Sequence, residues 1–364
     1  MTGGSTYVIA EIGVNHDGSV AKALELVDAV AATGADAVKI QTFTAASLVS
    51  AHAPKAAYQL VTTPAAESQF EMLRRLELSR DDHRVVKDAA CAHGLDFLST
   101  PYDSDSLAFL VDDLGVDQVK IASSDLTNLP LLLAAGRSRR RVILSTGMAT
   151  IPEIHRALAV LGFGATTTVG IPGRAQIDGG PDAAASDYLA SSVVLLQCTS
   201  QYPAPLAEAN LMAMVTMREL FGVPVGYSDH TIGTTAAIMS VALGSTMYER
   251  HFTLDRTAPG PDHSASMEPA EFTALVAQMR EAEVARGTGV KEPSVSEMGN
   301  RFPMRKSLMA ACDIAQGRVV EEADIALMRP ESGDLPEHYW EWQGRTAPRA
   351  YSAGDPLRST SEGS

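Results

Sequence analysis

Lys39 and Lys120 each sit inside a short run rich in Val and Ile, Ala37–Thr42 and Gln118–Ser123. A lysine carried inward on a strand is expensive to desolvate unless an anion pairs with it. Thr100, Ser123 and Ser145 add hydroxyl donors near the ends of such runs, and the five residues together suit a bound phosphate and carboxylate. The plainer reading is a pair of half-buried lysines in structural salt bridges; the anion site is preferred. His230 and His251 close two later runs. One histidine alone is more often a satisfied core or surface residue than a ligand. Two at neighbouring strand ends, with Glu11 on the adjacent first run, form a candidate divalent-metal site with open positions. Mixed imidazole and oxygen donors suit Mn²⁺, with Mg²⁺ or Co²⁺ as substitutes. Among the other histidines, His16 follows the first run closely enough to touch a substrate. Asp262 lies in the turn Pro259-Gly-Pro-Asp-His263, rigid enough to hold a carboxylate over a site, although a turn-capping role is the default for such a residue. Arg305 and Lys306 read by themselves as a solvated basic pair.

These residues need a scaffold that brings strand ends together. Apolar runs occur at Tyr7–Gly13, Ala37–Thr42, Leu95–Pro101, Gln118–Ser123, Arg141–Gly147, Val193–Ser200, Pro224–Thr231 and Met247–Leu254. Helical segments alternate with them; in the first, Val20, Ala23, Leu24, Val27 and Val30 keep a period of about 3.6 residues, and Gly34 ends it. Eight strands alternating with helices predict a parallel (β/α)8 barrel. A doubly wound open sheet uses the same alternation. The polar tails of the runs favour the barrel, whose enzymes build their sites at the C-terminal strand ends. They include Glu11, Lys39 with Gln41, Lys120 with Ser123, Ser145-Thr146, Ser228-Asp229-His230 and Arg250-His251.

The predicted organisation is a barrel over 1–286, a linker over 287–300, a small, mostly β domain over 301–357 and a disordered tail over 358–364. Gly164–Ser192, rich in Gly, Ala, Thr and Asp and without periodicity, reads as a surface excursion after the fifth helix, on the side of the barrel away from the site.

Composition excludes several partners. The 364 residues carry 44 acidic and 29 basic side chains, a net charge of −15, which repels nucleic acid and anionic membranes. The three cysteines, Cys91, Cys198 and Cys312, are far apart and form no CxxC pair, in keeping with a reducing cytoplasm. No apolar run approaches the ~20 residues that span a bilayer, and the N-terminus reaches its first strand too soon for a signal peptide.

The motifs carry a resemblance. Ile9-Ala-Glu-Ile-Gly-Val-Asn-His16, Ala35-Asp-Ala-Val-Lys-Ile-Gln41, Leu98-Ser-Thr-Pro101, Lys120-Ile-Ala-Ser-Ser-Asp125, Leu144-Ser-Thr-Gly147, Gln197-Cys-Thr-Ser-Gln-Tyr-Pro203, Gly226-Tyr-Ser-Asp-His-Thr231 and Glu249-Arg-His-Phe-Thr253 follow one another in order. In these the chain resembles the sialic acid (N-acetylneuraminate/nonulosonate) synthase family through nearly its whole length. Arg305-Lys-Ser-Leu308, Asp313-Ile-Ala-Gln-Gly317 and Arg329-Pro330 resemble the family's C-terminal antifreeze-like (SAF) module.

The resemblance implies condensation of phosphoenolpyruvate (PEP) with an N-acylated aldose of the N-acetylmannosamine type, giving a nonulosonic acid and phosphate. It implies PEP on Lys39, Thr100, Lys120, Ser123, Ser145 and Ser228, and a metal on His230 and His251. Glu11, Gln41, Asp125, Tyr202 and Asp262 would stand near the acceptor and the reacting centre, with Glu11 or Asp262 handling a proton. It also implies a homodimer in which each cap closes over the partner's barrel, with Arg305, or Arg301 if the alignment slips, reaching the acceptor's acyl group. The cap begins Met304-Arg-Lys-Ser where the family commonly has a double arginine, and the excursion is longer than is usual there. Ser124-Asp-Leu-Thr-Asn-Leu-Pro130 and Asp262-His263 are nearer to the neuraminate and legionaminate synthases than to the pseudaminate synthases, so a legionaminate-type acceptor is the alternative. A synthase of the KDO-8-phosphate or DAHP type also joins PEP to an aldose, and the SAF-like cap argues against it.

Overall fold

The structure is a computed structural model that describes residues 4–56, 59–60, 63–64 and 66–359. Eight strands of the described residues form the main sheet: β1 (Tyr7–Gly13), β2 (Ala37–Thr42), β3 (Asp96–Pro101), β4 (Gln118–Ile121), β5 (Arg141–Ser145), β6 (Val193–Gln197), β7 (Val225–Asp229) and β8 (Met247–His251). They form one parallel ladder in the order β3-β2-β1-β8-β7-β6-β5-β4, and β3 and β4 pack side by side to complete the round. Each strand neighbours its sequence neighbour, with no switch in strand order of the kind an open doubly wound sheet has. The fold is a nearly closed (β/α)8 barrel.

Strand alternation divides the residues between two cores. Ile9, Ala37, Leu98, Ile143, Val194, Leu196 and Met247 fill the barrel interior. Their neighbours Val8, Ala10, Val38, Ile40, Val142 and Leu144 face outward into the larger core under the helices. Two steps further along each inward row stand Glu11, Lys39, Thr100, Ser145, Cys198 and Glu249. The alternation thus delivers polar groups to the C-terminal end of the same apolar plug.

Local signals start the surrounding helices. Ser19 caps Val20–Ala31, accepting from the Lys22 amide, and Ser79 and Asp82 form a reciprocal capping box on Arg80–Ala92. Asn128 caps Leu129–Ser138, whose second residue is Pro130. That helix crosses Ile151–Thr166 at glycines: a Cβ on Gly136 would lie 2.3 Å from Leu161 O, and one on Gly164 2.6 Å from Leu133 O. No other side chain permits so close an approach.

The 164–192 segment differs from expectation. Ile151–Thr166 continues into it, and two further helices follow, Arg174–Gly179 and Ala183–Ser192. Ala185 and Leu189, one turn apart, are the buried contacts of the last, too few for a visible periodicity. Nor does the segment stay away from the mouth. Gly180 lies against His155, and Arg174 and Ile177 share a cavity of about 190 Å³ with Leu126, Thr127, Glu153 and Arg156. Those partners belong to the first two turns of a barrel helix and to the loop after β4, at the C-terminal strand ends.

The chain divides into two compact units, Met1–Thr288 and Gly289–Ser364. The second has its own core around Leu308, Ile314, Val320, Trp342, Tyr351 and Leu357. Among the described residues its regular β-structure is one antiparallel pair, β9 (Ser307–Ala310) with β10 (Ile325–Met328). The expected linker is helical in part, because Ser294 and Glu297 cap a helix over Val295–Met304. Of the expected tail, residues 360–364 lie outside the described residues. No helix among the described residues is long and apolar enough to cross a membrane.

Candidate active site

Two lysines and two glutamates occupy the inner end of the barrel mouth. Lys39 Nζ pairs with Glu11 Oε2, lies 3.6 Å from Glu249 Oε2 and donates to Thr100 Oγ1 at 3.2 Å. Lys120 Nζ lies 3.4 Å from Glu249 Oε1, which also accepts from Ser228 Oγ at 2.8 Å. All of these side chains are buried. Burial pushes the Glu249 carboxyl up, but Lys120, Lys39 and Ser228 outweigh it and hold the group at about 2. Burial lowers Lys39, and the carboxylates of Glu11 and Glu249 more than offset this, so it stays charged. Burial lowers Lys120, which Glu249 offsets only in part. Glu11 is raised, by burial first, with Lys39 pulling the other way.

Glu249 is the residue the sequence reading missed. It lies two positions before His251, on the same face of β8, so strand parity alone points it inward. Its neighbours on the opposite parity show the converse. Asp229 and Arg250, noted as polar strand ends, pair at 2.9 Å behind the wall, and Tyr248 Oη donates to the same Asp229 oxygen at 2.8 Å. That network is structural.

His230 and His251 end adjacent strands with ring centroids 5.6 Å apart. His230 Nδ1 lies 2.7 Å from Thr199 O, a carbonyl that can only accept. The proton is therefore on Nδ1; Nε2 lies 3.5 Å from Ser228 Oγ, whose proton goes to Glu249, so Nε2 keeps its lone pair, the arrangement usual for metal-bound imidazoles. Burial lowers His230 to about 4 and His251 well below its ordinary value, so both are neutral. His251 Nδ1 is buried with no hydrogen-bond partner among the described residues. Two neutral imidazoles, one with its tautomer fixed and one with an unanswered nitrogen, fit a divalent cation. Among the described residues no group of three or more His, Cys, Asp or Glu is set to hold an ion. Glu11, expected beside the metal, is instead taken up by Lys39 and Gln41.

Gln41 Nε2 donates to Glu11 Oε1 at 3.1 Å, and Asp262 Oδ2 approaches His251 Nδ1 at 3.6 Å. Gly13 binds this corner together: a Cβ there would meet Glu11 Oε1, Gln41 Nε2 and Asp262 Oδ2 within 3.5 Å. Burial and the nearby Glu11 charge raise the Asp262 carboxyl to about 7. Tyr202 leans on His230 at a ring separation of 4.1 Å. Beyond it, a cavity of about 440 Å³ opens between the ends of β5 and β6, lined among others by Gly147, Cys198, Thr199, Gln201 and Glu208.

The other expected residues divide. Ser145 Oγ is buried in the same mouth with no hydrogen-bond partner among the described residues. Ser123 follows β4 and approaches Cys198 Sγ at 3.1 Å. Asp125 lies on the next turn, held by Asn128 Nδ2 at 3.0 Å. Arg305, in the C-terminal unit, is half-exposed and lies 3.4 Å from Glu331. Arg301 approaches that same carboxylate at 3.8 Å, so the geometry of the unit does not distinguish the two arginines.

The model of the NeuB family matches residues 26–291. The chain is 40% identical over 351 residues to an N,N'-diacetyllegionaminic acid synthase of Legionella pneumophila, covering 96% of this chain and 93% of that one. It is 39% identical over 353 residues to an N,N'-diacetyllegionaminic acid synthase of Campylobacter jejuni, covering 97% and 99%. Among solved structures, an N-acetylneuraminic acid (sialic acid) synthetase from Leptospira borgpetersenii, in complex with citrate, superposes with a TM-score of 0.67 at 29% identity. That match covers 82% of this chain and 90% of that one.

Proposed function

The chain belongs to the NeuB family, and we propose that it is a nonulosonic acid synthase that condenses PEP with an N-acylated aldose and water, releasing phosphate. The observation that carries this reading is the buried cluster of Lys39, Lys120, Glu249 and Ser228, set beside two neutral histidines. Two lysines, each also paired with a buried glutamate, and several hydroxyls at the base of a barrel mouth supply donors for the phosphate and carboxylate of one small anionic substrate.

PEP lies on Lys39, Lys120, Thr100, Ser123, Ser145 and Ser228. Its methylene carbon attacks the open-chain aldehyde carbon of the acceptor, forming the new C–C bond as the carbonyl electron pair moves onto the aldehyde oxygen, and leaving positive charge on the carbon that bears the phosphate ester. Water adds to that carbon; one of its protons ends on the former aldehyde oxygen, now a hydroxyl, and the C–O bond to phosphate breaks as the other proton leaves with phosphate and the new ketone forms. His230 and His251 would hold a divalent cation such as Mn²⁺, which would supply Lewis-acid polarisation of the aldehyde oxygen. Lys39 and Lys120 balance the substrate's charge throughout. Glu11 is engaged by Lys39 and Gln41, whereas among the described residues Asp262 faces the neutral imidazole of His251 at 3.6 Å. Asp262 is therefore the better placed carboxyl to take the water's proton. Gln41, Asp125 and Tyr202 orient the acceptor.

Both relatives near 40% identity are named for a product with two acetyl groups, which favours a diacetamido hexose over N-acetylmannosamine. Phosphate release from PEP, measured with a panel of aldoses with and without Mn²⁺, tests the whole reading. We expect turnover that needs both metal and an N-acylated aldose, fastest with a diacetamido sugar. Equal release with unacylated aldose phosphates would reject it.

The C-terminal unit is read as an antifreeze-like module that completes the partner's site in a cytoplasmic homodimer, with Arg305 at the acceptor's acyl group. A small unit gains stability by docking. His230→Ala and Arg305→Ala would then be lesions in different chains of each site. A heterodimer of the two variants has one site with both lesions and one with neither. Activity should return on co-expression, although neither homodimer is active. A verified heterodimer that stays inactive would reject the exchange.

A further inference from the structure

The ends of β4, β5 and β6 meet at one crowded point. Gly147 has a φ of +22°, and a Cβ on it would lie 2.5 Å from Ser123 Oγ and 2.3 Å from Ser200 Oγ. Its amide donates to Cys198 Sγ at 3.1 Å, and the same sulfur lies 3.1 Å from Ser123 Oγ. Cys198 is buried. Ser145 Oγ, two residues before Gly147, is buried and has no hydrogen-bond partner among the described residues, so the spot is built to meet a ligand. The large cavity between β5 and β6 opens onto it.

Buried free cysteine ordinarily acts as a small apolar filler. Gly147 N–H donates into one lone pair of the sulfur, and either Cys198 Sγ or Ser123 Oγ can be the donor in the second contact. With the thiol as donor, Ser123 accepts from it and keeps its own proton for an outside acceptor. We propose that Cys198 is a positioning residue for PEP: it orients the Ser123 hydroxyl as a donor to the substrate's anionic oxygens. The inference rests on the reading of Ser123 as a PEP contact.

Steady-state phosphate release by Cys198→Ala, Cys198→Ser and Ser123→Ala tests it, with PEP and acceptor varied separately. Cys198→Ala should raise the KM for PEP about tenfold, the scale of one lost hydrogen bond. Its kcat and acceptor KM should stay within about twofold, because the sulfur touches neither the metal ligands nor Asp262. Cys198→Ser should restore most of the PEP affinity, since a hydroxyl can likewise accept from Gly147 and donate to Ser123. Cys198→Val, which fills the space without hydrogen bonding, replaces the alanine variant if that one melts below the assay temperature. If Ser123→Ala leaves the PEP KM unchanged, the PEP contact itself is wrong. If Ser123→Ala raises it while Cys198→Ala (or Val) does not, or if the serine variant is as impaired as alanine, the positioning role of Cys198 is overturned and the PEP contact stands.

Discussion

Replacing His230 with alanine should lower kcat by about a thousandfold or more, the several kcal/mol that a metal's polarisation of a carbonyl supplies. The same variant should lose Mn²⁺ binding, read directly by the spin-resonance signal of the free ion. The fold should survive. The imidazole is neutral, with burial holding it at about 4, so removing it strands no charge. It loses one bond to Thr199 O and the contact with the Tyr202 ring. Chelation with EDTA should abolish wild-type turnover, and added Mn²⁺ should restore it. His251→Ala should behave alike, because two imidazoles alone cannot each be dispensable. Full activity of metal-free His230→Ala protein would remove the metal from the proposal.

Lys120→Met should raise the KM for PEP by about two orders of magnitude, within the 2–5 kcal/mol typical of truncating one partner of a buried charge pair. The acceptor KM should move far less. Methionine fills the lysine stem's volume, so packing is nearly kept. Glu249 retains Ser228 at 2.8 Å and Lys39 at 3.6 Å, which keeps that carboxylate from being stranded. The substrate's anion loses one of its two cationic partners and keeps only Lys39 and the hydroxyls. An effect confined to the sugar's KM would place Lys120 on the acceptor side and undo the PEP assignment.

What could be read without coordinates follows from periodicity. Eight Val- and Ile-rich runs, separated by helical segments such as the periodic Val20–Val30 ended by Gly34, leave few options for a chain of this length, and polar strand ends selected the barrel. Lys39, Lys120, His230 and His251 were visible because charged or metal-binding groups are costly inside apolar runs. Glu249 was not seen, although two-residue alternation from His251 leads straight to it. In sequence it lies in Glu249-Arg250-His251, where nothing distinguishes the inward glutamate from the outward arginine until the strand's parity is fixed.

The rest was decided by contacts between distant segments. Only the barrel's closure put Glu249 between Lys39 and Lys120, 210 and 129 residues away along the chain, and so holds its carboxyl well below the usual range. The same closure committed Glu11 to Lys39 and left Asp262 to face His251. The 164–192 segment carries two helices with only Ala185 and Leu189 buried in the second, too weak a pattern to be periodic. Its return to the mouth depends on Gly162 and Gly180, which allow the backbone to run against Ala185 and His155. Sequence determines which residues can do chemistry, through the local cost of placing them on a strand. Their protonation and partners depend on a desolvated geometry that no single segment contains.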